Sequence, residues 1–443
     1  MFYLNKGTEL TAELLQKMIN RFNVSVLPQL EKNKNYYDGK QIILNKSYAD
    51  TEKPCSRTVI NYCKNIADAY CGYMATPGYI TYISENDIEE IQNILRYNDH
   101  NAADAAFLLD ALVYGVAAEL MYIDAAGQVR FRNISPAQCF GICDDSLTGD
   151  LLYFVRFYKA NEWNDSDIYN VDVYSDYDIK HYQMSGNNGY LSLLSTEPHY
   201  FSQCPANIFS LPDEKSIYDC VIGLQDAANE IVSSEIDEFS AFADAYLVLT
   251  GVDAERDDIQ TMKENRVIIL PPDGAAANWL TKNANDAQVE NILKRIHDSI
   301  YRISACVDYS SENLMNGVSS GIAIRYKMSG MENRAGTVEA AMKKALQRRV
   351  EIICGIASLK YGEEVFRDIN IEFKRNLPED LTATINLINS LKGSVSDATL
   401  LAQLDFIPDV AAELEALEEQ KQRNLELYSF GSSTEEENGA DVA

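Results

Sequence analysis

The chain has 443 residues, 46% hydrophobic and 24% charged, a composition that suits a folded protein with room for two to four domains. A formal net charge of -29 argues against a general nucleic-acid binder, which carries a basic surface, but not against a protein past which nucleic acid must slide without sticking. No run of about 18 uninterrupted apolar residues suggests a membrane span, and the opening MFYLNKGTEL lacks the basic and apolar regions of a secretory signal.

In chain order, Thr8 to about Lys34 reads as helix, with Leu14, Leu15, Met18 and Phe22 at helical spacing, and NYYDGKQ (Asn35 to Gln41) as a turn. A helix is predicted from about Ser56, ending near Gly72 and Pro77, with a strand after it. A second runs from Ile88 to Val113. Ala117 to Ser210 is β by pattern: AELMYIDAAGQVRFRNI gives two strands around an Ala-Gly turn, and LLYFVRFYKA another. Many of the 27 tyrosines fall in this half, where they suit half-buried strands. The nine cysteines are scattered and form no C-x-x-C, Cys139 and Cys143 being the closest pair, and read as buried free thiols of a reducing compartment. Four distant histidines offer no zinc site.

Long helices follow. Ser216 to Tyr246 carries Ile217, Val221, Leu224, Ala228, Val232, Ile236, Phe239, Phe242 and Tyr246 three or four residues apart, with acidic residues on the other faces and no lysine or arginine. At 1.5 Å per residue it would extend about 45 Å. Short strands are predicted at Tyr246 to Thr250 and Val267 to Leu270, around the charged AERDDIQTMKE, as a small α/β insert. Another helix, Asn285 to Cys306, has Val289, Leu293, Ile296, Ile300 and Ile303 on one side and Lys294, Arg295 and Arg302 on others. A polar, glycine-containing stretch then precedes a third helix from Gly321 to Leu359, where Gly330 and Gly336 suggest a bend or a close approach. From Arg325 to Lys360 there are eight lysines and arginines against three glutamates, which makes it the one clearly basic helix. Pro378 to Leu427 is helical again, split by KGSVSD, where Ser394 or Ser396 can cap. The tail GSSTEEENGADVA is acidic and reads as disordered.

Nothing in the chain supports an enzyme. No Walker loop, dinucleotide fingerprint or G-x-S-x-G elbow occurs. Asp144-Asp145 and Asp257-Asp258 are the only carboxylate pairs weighed as metal ligands, against the plainer reading that adjacent acidic residues in exposed stretches are solvated.

The stretch NGVSSGIAIRYK (Asn316 to Lys327) resembles the N-x-S-G-x-A-I-x-Y-K segment of portal proteins from long-tailed bacteriophages, with one serine more before the glycine than the family pattern. NYYDGKQIIL, INYCKNIADAYCGYMATPGYITY, YGVAAELMYIDAAGQVRFRNISPAQCFGICDDS, LLYFVRFY and RVIILPPDGAAANWLTK resemble further portal segments in the same order, from about Asn35 to Leu404. The resemblance implies an α+β, mainly helical fold with wing, stem, clip and crown, assembled as a dodecameric ring at one capsid vertex, through which double-stranded DNA is packaged and ejected. Residues 1–215 would be the wing, 216–246 and 285–306 the stem helices, and 247–284 the clip. Residues 307–320 would be the tunnel loop, 321–377 the bent helix returning to the wing, 378–430 the crown and 431–443 the acidic tail.

The partners implied are the terminase large subunit, the major capsid and scaffolding proteins, and head completion or adaptor proteins, with no cofactor, metal or membrane. The motor-docking candidates on the clip are Arg256, Lys263 and Arg266, and the channel-lining candidates are Lys294, Arg295, Arg302 and Arg325. In the loop, Asn313, Asn316, Ser319 and Ser320 can bond phosphates weakly. Gly317 allows backbone adaptability, and Leu314, Met315 and Val318 can pack on the neighbouring loop. Two other readings stand beside this one: a ring scaffold or adaptor without DNA transit, and a metal-dependent nuclease built on the carboxylate pairs.

Overall fold

The computed structural model describes residues 2–49, 53–160, 167–186, 189–242, 247–250, 276–279, 286–308, 321–357, 365–375, 381–401, 404, 410, 413–414 and 416–423. They fall into two units, one comprising Met1–Ser311 with Lys327–Asn376, the other Glu312–Tyr326 with Leu377–Ala443.

The first unit opens with β1 (Phe2–Leu4), α1 (Ala12–Ser25) and α2 (Leu27–Tyr37). Thr11 caps α1 by accepting the Leu14 N–H, and the periodic Leu15, Met18, Ile19 and Phe22 are its buried side. The single helix predicted here is two, because Pro28 at the start of α2 cannot supply a helical N–H and forces the break at Val26. α3 (Tyr62–Met74) begins six residues later than the predicted Ser56, capped by Asn61. β2 (Ile80–Ile83) follows, then α4 (Glu89–Tyr97) and α5 (His100–Tyr114). These two replace the single helix predicted from Ile88 to Val113. The break has a cause: the Asn98 side chain accepts the Phe131 N–H and donates to Val129 O, bonding to a strand edge while Asp99 takes φ 47°.

The β region holds β3 (Val116–Ile123), β4 (Val129–Ile134), β5 (Cys139–Asp144), β6 (Leu151–Lys159), β7 (Ile168–Tyr174), β8 (Asp178–Ser185), β9 (Leu191–Pro198) and β10 (Ala206–Ser210). Six strands form one sheet in the order β1-β5-β6-β7-β8-β9, antiparallel except for the parallel β1–β5 pair, where Phe2 faces Ile142. A second sheet has the order β10-β3-β4. Alternation sets the faces: in β4, Val129 and Phe131 are buried and Arg132 is exposed. Phe22 of α1 stacks on Phe140 of β5 at 5.4 Å and meets Phe157 of β6 edge-on, which seats α1 on the larger sheet. The two sheets share a core of Ala118, Leu120, Ile134, Cys139, Phe154, Tyr174, Cys204 and Ala206. They approach so closely at Gly141 that a Cβ there would overlap Ile208 Cδ1.

The long elements are α6 (Ile222–Phe242), α7 (Asp286–Ser304) and α8 (Gly321–Ala357). Between α6 and α7, β11 (Leu247–Thr250) pairs antiparallel with β12 (Ala276–Trp279). The strand predicted at Val267–Leu270 lies outside the described residues. β13 (Asn370–Phe373) pairs with β2. α8 runs as one helix through Gly330 and Gly336. A Cβ at Gly330 would make ordinary contact with Ala305 and one at Gly336 would meet nothing, whereas Gly355 is the close approach, against Ser202 Oγ. In the second unit, α9 (Leu381–Leu391) and α10 (Asp397–Leu401) flank the predicted break, and Ser396 Oγ accepts the Thr399 N–H, making it the cap.

Arg349 of α8 explains part of that helix's basic count. It is fully buried. Its Nε and Nη2 donate to Glu119 of β3 at 2.9 and 2.6 Å, and its Nη1 donates to Asp104 of α5 and to the Tyr82 hydroxyl of β2. The guanidinium lies 4.5 Å from the Phe131 ring centroid. Burial raises the Glu119 carboxyl, against the pull of Arg349. One side chain thus fixes α8 to a helix and two sheets. Arg348 bonds Gln203 and Glu351, and Lys343 bonds Asn370, so the basic helix spends much of its charge inside its own unit. Most of the cysteines are buried free thiols as expected, but Cys220 is exposed.

Candidate functional site: the roots of two long helices and a loop

α6 and α7 pack on one another. The apolar row predicted for α6 begins buried at Val221 and Ala228 but ends exposed, with Phe239 80% accessible and Ile236 beside it. A buried polar row runs along the helix beside it: Gln225, Asn229, Ser233 and Asp237, each four residues from the last.

Their partner is the stretch Ser56–Asn61, predicted as helix and found outside any helix. The Ser56, Thr58, Ile60 and Tyr62 N–H groups donate to Asp237 Oδ1 (2.5 Å), Ser233 Oγ (3.0 Å), Asn229 Oδ1 (2.9 Å) and Gln225 Oε1 (2.9 Å). The match is geometric. Four residues of helix advance about 6.0 Å and two residues of extended chain about 6.6 Å, so every fourth side chain meets every second amide. Gln225 also returns a bond to Ile60 O, and Asn229 donates to Gln41 Oε1. The helix holds a strand-like strap by side chains, and its apolar end is left facing outward.

At their other ends the long helices share an anchor. Arg334 of α8 donates through Nη1 to Ser304 O, the last residue of α7, at 3.1 Å, and through Nη2 to Ile217 O, just before α6, at 2.8 Å. The Tyr70 hydroxyl donates to the same Ser304 carbonyl at 3.0 Å. The chain then leaves α7 through Ala305, held at φ 53°, a left-handed conformation costly for a residue with a side chain. Cys306 is buried, and burial pushes its thiol up to about 12. Asp308 sits 3.6 Å from His297 Nε2, and the His297 ring packs on Tyr301 and Tyr62. Residues 304–308 are therefore held in place where the chain leaves α7.

Of the residues singled out in the sequence, Lys294, Arg295 and Arg302 are exposed on α7, where Ile292 and Ile303 are exposed as well. Arg325 falls in the first turns of α8. Asn313, Leu314, Met315, Asn316, Gly317, Val318, Ser319 and Ser320, and the clip residues Arg256, Lys263 and Arg266, lie outside the described residues, as do Asp257 and Asp258. The structure brings forward residues that the sequence reading passed over: Arg334, Tyr70 and the four polar rungs of α6. The rungs had a legible signal, polar side chains, three of them uncharged, repeating every four residues inside an apolar pattern.

Among the described residues no helix is long and apolar enough to cross a membrane. A protein-family model described as phage portal protein, SPP1 Gp6-like, matches residues 18–427. No curated protein matches the chain. The class is that of phage portal proteins. The chain belongs to the SPP1 Gp6-like family of them.

Proposed function

We propose that the chain is the subunit of a ring, dodecameric in the assembled virion, that sits at one capsid vertex and passes double-stranded DNA during packaging and ejection. Its part is structural, with no chemistry of its own. Residues 216–246 and 285–306 form the stem, 247–284 the clip that meets the terminase large subunit and later the head completion proteins, and 307–320 the tunnel loop. Residues 1–215 form the wing against capsid and scaffolding proteins, and 378–430 the crown. The protein is made in the host cytoplasm and ends in the virion.

The observation that carries this reading is the inverted end of α6. Ile236 and Phe239 face outward there while polar side chains take the inside, and α7 exposes Ile292 and Ile303. Apolar side chains held out on long helices are what a cyclic, head-to-tail neighbour covers. The net charge of -29 suits a surface on which DNA slides rather than grips. Native mass measurement and end-on electron micrographs of the purified chain test the proposal. A ring with an open channel is expected, and Ile236→Asp with Phe239→Asp, both solvent-facing, should leave a folded monomer. A wild-type chain that stays monomeric at every salt concentration would refute it.

A further inference from the structure

We propose that the turn between β5 and β6, Asp144 to Asp150, binds a divalent cation of the calcium type. This is independent of ring formation and of DNA passage.

The sequence there is DDSLTGD. Taken alone, its acidic residues suggest a solvated turn. Asp144 is not solvated, being 0% exposed at the end of β5. Its Oδ1 accepts three bonds, from the Asp150 N–H at 3.0 Å, the Ser146 N–H at 3.3 Å and the Ser146 hydroxyl at 2.8 Å. Its Oδ2 is equally buried and meets no hydrogen-bond donor among the described residues. A covered carboxylate oxygen without a donor calls for a positive charge. Lys6 lines the same cavity but makes no hydrogen bond to Oδ2.

The oxygens needed for a cation are at hand. Ser146 Oγ lies 2.6 Å from Thr148 Oγ1, which donates to Asp150 Oδ2 at 3.3 Å. Oxygen-bearing side chains thus alternate at 144, 146, 148 and 150, and Gly149, at φ 61°, turns the chain between the last two. Asp144, Thr148 and Asp150 open onto a cavity of about 800 Å³ that Lys6 and Asp176 also line. Among the described residues no three His, Cys, Asp or Glu converge as a metal cluster. The set here is two carboxylates and two hydroxyls, which favours a hard cation over a transition metal. Positions 144, 146 and 148 followed by Gly149 have the spacing of the first half of loop calcium sites, with serine and threonine where tighter sites carry further carboxylates or amides, and without the closing bidentate glutamate, position 155 being valine. The low charge places the affinity in the weak range, roughly 10⁻⁴ to 10⁻³ M.

Calorimetric titration of the full-length protein with calcium chloride tests this. Saturable binding in that range is expected. Asp144→Asn keeps an oxygen for the Asp150 N–H and replaces Oδ2 with a donor, so it should fold, as circular dichroism will show, and bind at least tenfold more weakly. Asp150→Asn should also weaken binding, and Lys6→Gln, which removes a competing positive charge, should strengthen it. No saturable heat up to roughly 10 mM calcium overturns the proposal. Binding undiminished in Asp144→Asn overturns it as well, because the ion then sits elsewhere on the acidic surface.

Discussion

The strap on α6 predicts an alternating pattern of amide exchange. The N–H groups of Ser56, Thr58, Ile60 and Tyr62 are held by side-chain oxygens, whereas those of Arg57, Val59 and Asn61 point away from the rungs, since successive residues of an extended chain alternate sides. Exchange measured at single-residue resolution should therefore be slow, fast, slow along this stretch, a pattern a helix cannot give. Asn229→Leu is the sharpest perturbation. Asn229 is fully buried, accepts from Ile60 N and from Gln225 Nε2, and donates to Gln41 Oε1. Three neutral bonds at about 1 kcal/mol each, with the added cost of stranding buried partners, give about 3–5 kcal/mol. At 1.4 kcal/mol per factor of ten, protection at Ile60 should fall by about 100-fold or more, with smaller losses at Thr58 and Tyr62. Uniform exchange from Ser56 to Tyr62 in the wild type, or unchanged protection in the variant, would refute the reasoning.

Arg349→Met should destabilise by about 3–5 kcal/mol, because it strands Glu119 and Asp104 in the core; chemical denaturation followed by tryptophan and tyrosine fluorescence measures it. Burial pushes the Asp110 carboxyl up to about 6, above its ordinary 3.8, so its cost to stability is absent below about pH 4 and grows as pH rises to 6. Asp110→Asn should remove that cost and raise the melting temperature at pH 7.5 but not at pH 4, a difference of ~3 kcal/mol at most. His181 bridges Asp172 at 2.7 Å and Glu197 at 3.1 Å. Burial works against its charge, but the two carboxylates outweigh it and the net pKa is raised. Its contribution is therefore complete below the ordinary histidine range and lost as pH rises through the raised value; protection factors at β9 amides, corrected for the intrinsic rise of exchange with pH, should fall over that rise in the wild type, and His181→Gln should remove this fall.

The long helices, the β character of Ala117 to Ser210 and several of its strands were legible because their periodicities extend over many residues. α7 and α8 lie within two residues of the predicted ends, and β3, β4 and β6 fall where alternation places them. The failures share a cause: a side chain takes over work that backbone bonding usually does. Asn98 bonds to a strand edge and ends a helix, and Pro28 cuts another. Ser56 to Asn61 looked helical by composition, but its amides are claimed by Gln225, Asn229, Ser233 and Asp237, more than 160 residues away in sequence. The inside of α6 was misjudged for the same reason, since apolar spacing says nothing about a buried polar row that is fully bonded. Arg334 and Arg349 were only part of a basic count in the sequence and are internal fasteners in the fold.

Arg334 has a consequence for how this chain can vary. Its two nitrogens hold Ile217 O and Ser304 O, the points where the backbone departs into α6 and returns from α7. The excursion between them is pinned at both ends by a single guanidinium, so the entropy of closing it depends only weakly on how much chain it contains. A change in the length of the chain between these two points therefore alters the cost of closing it only slightly, and leaves both bonds of Arg334 in place.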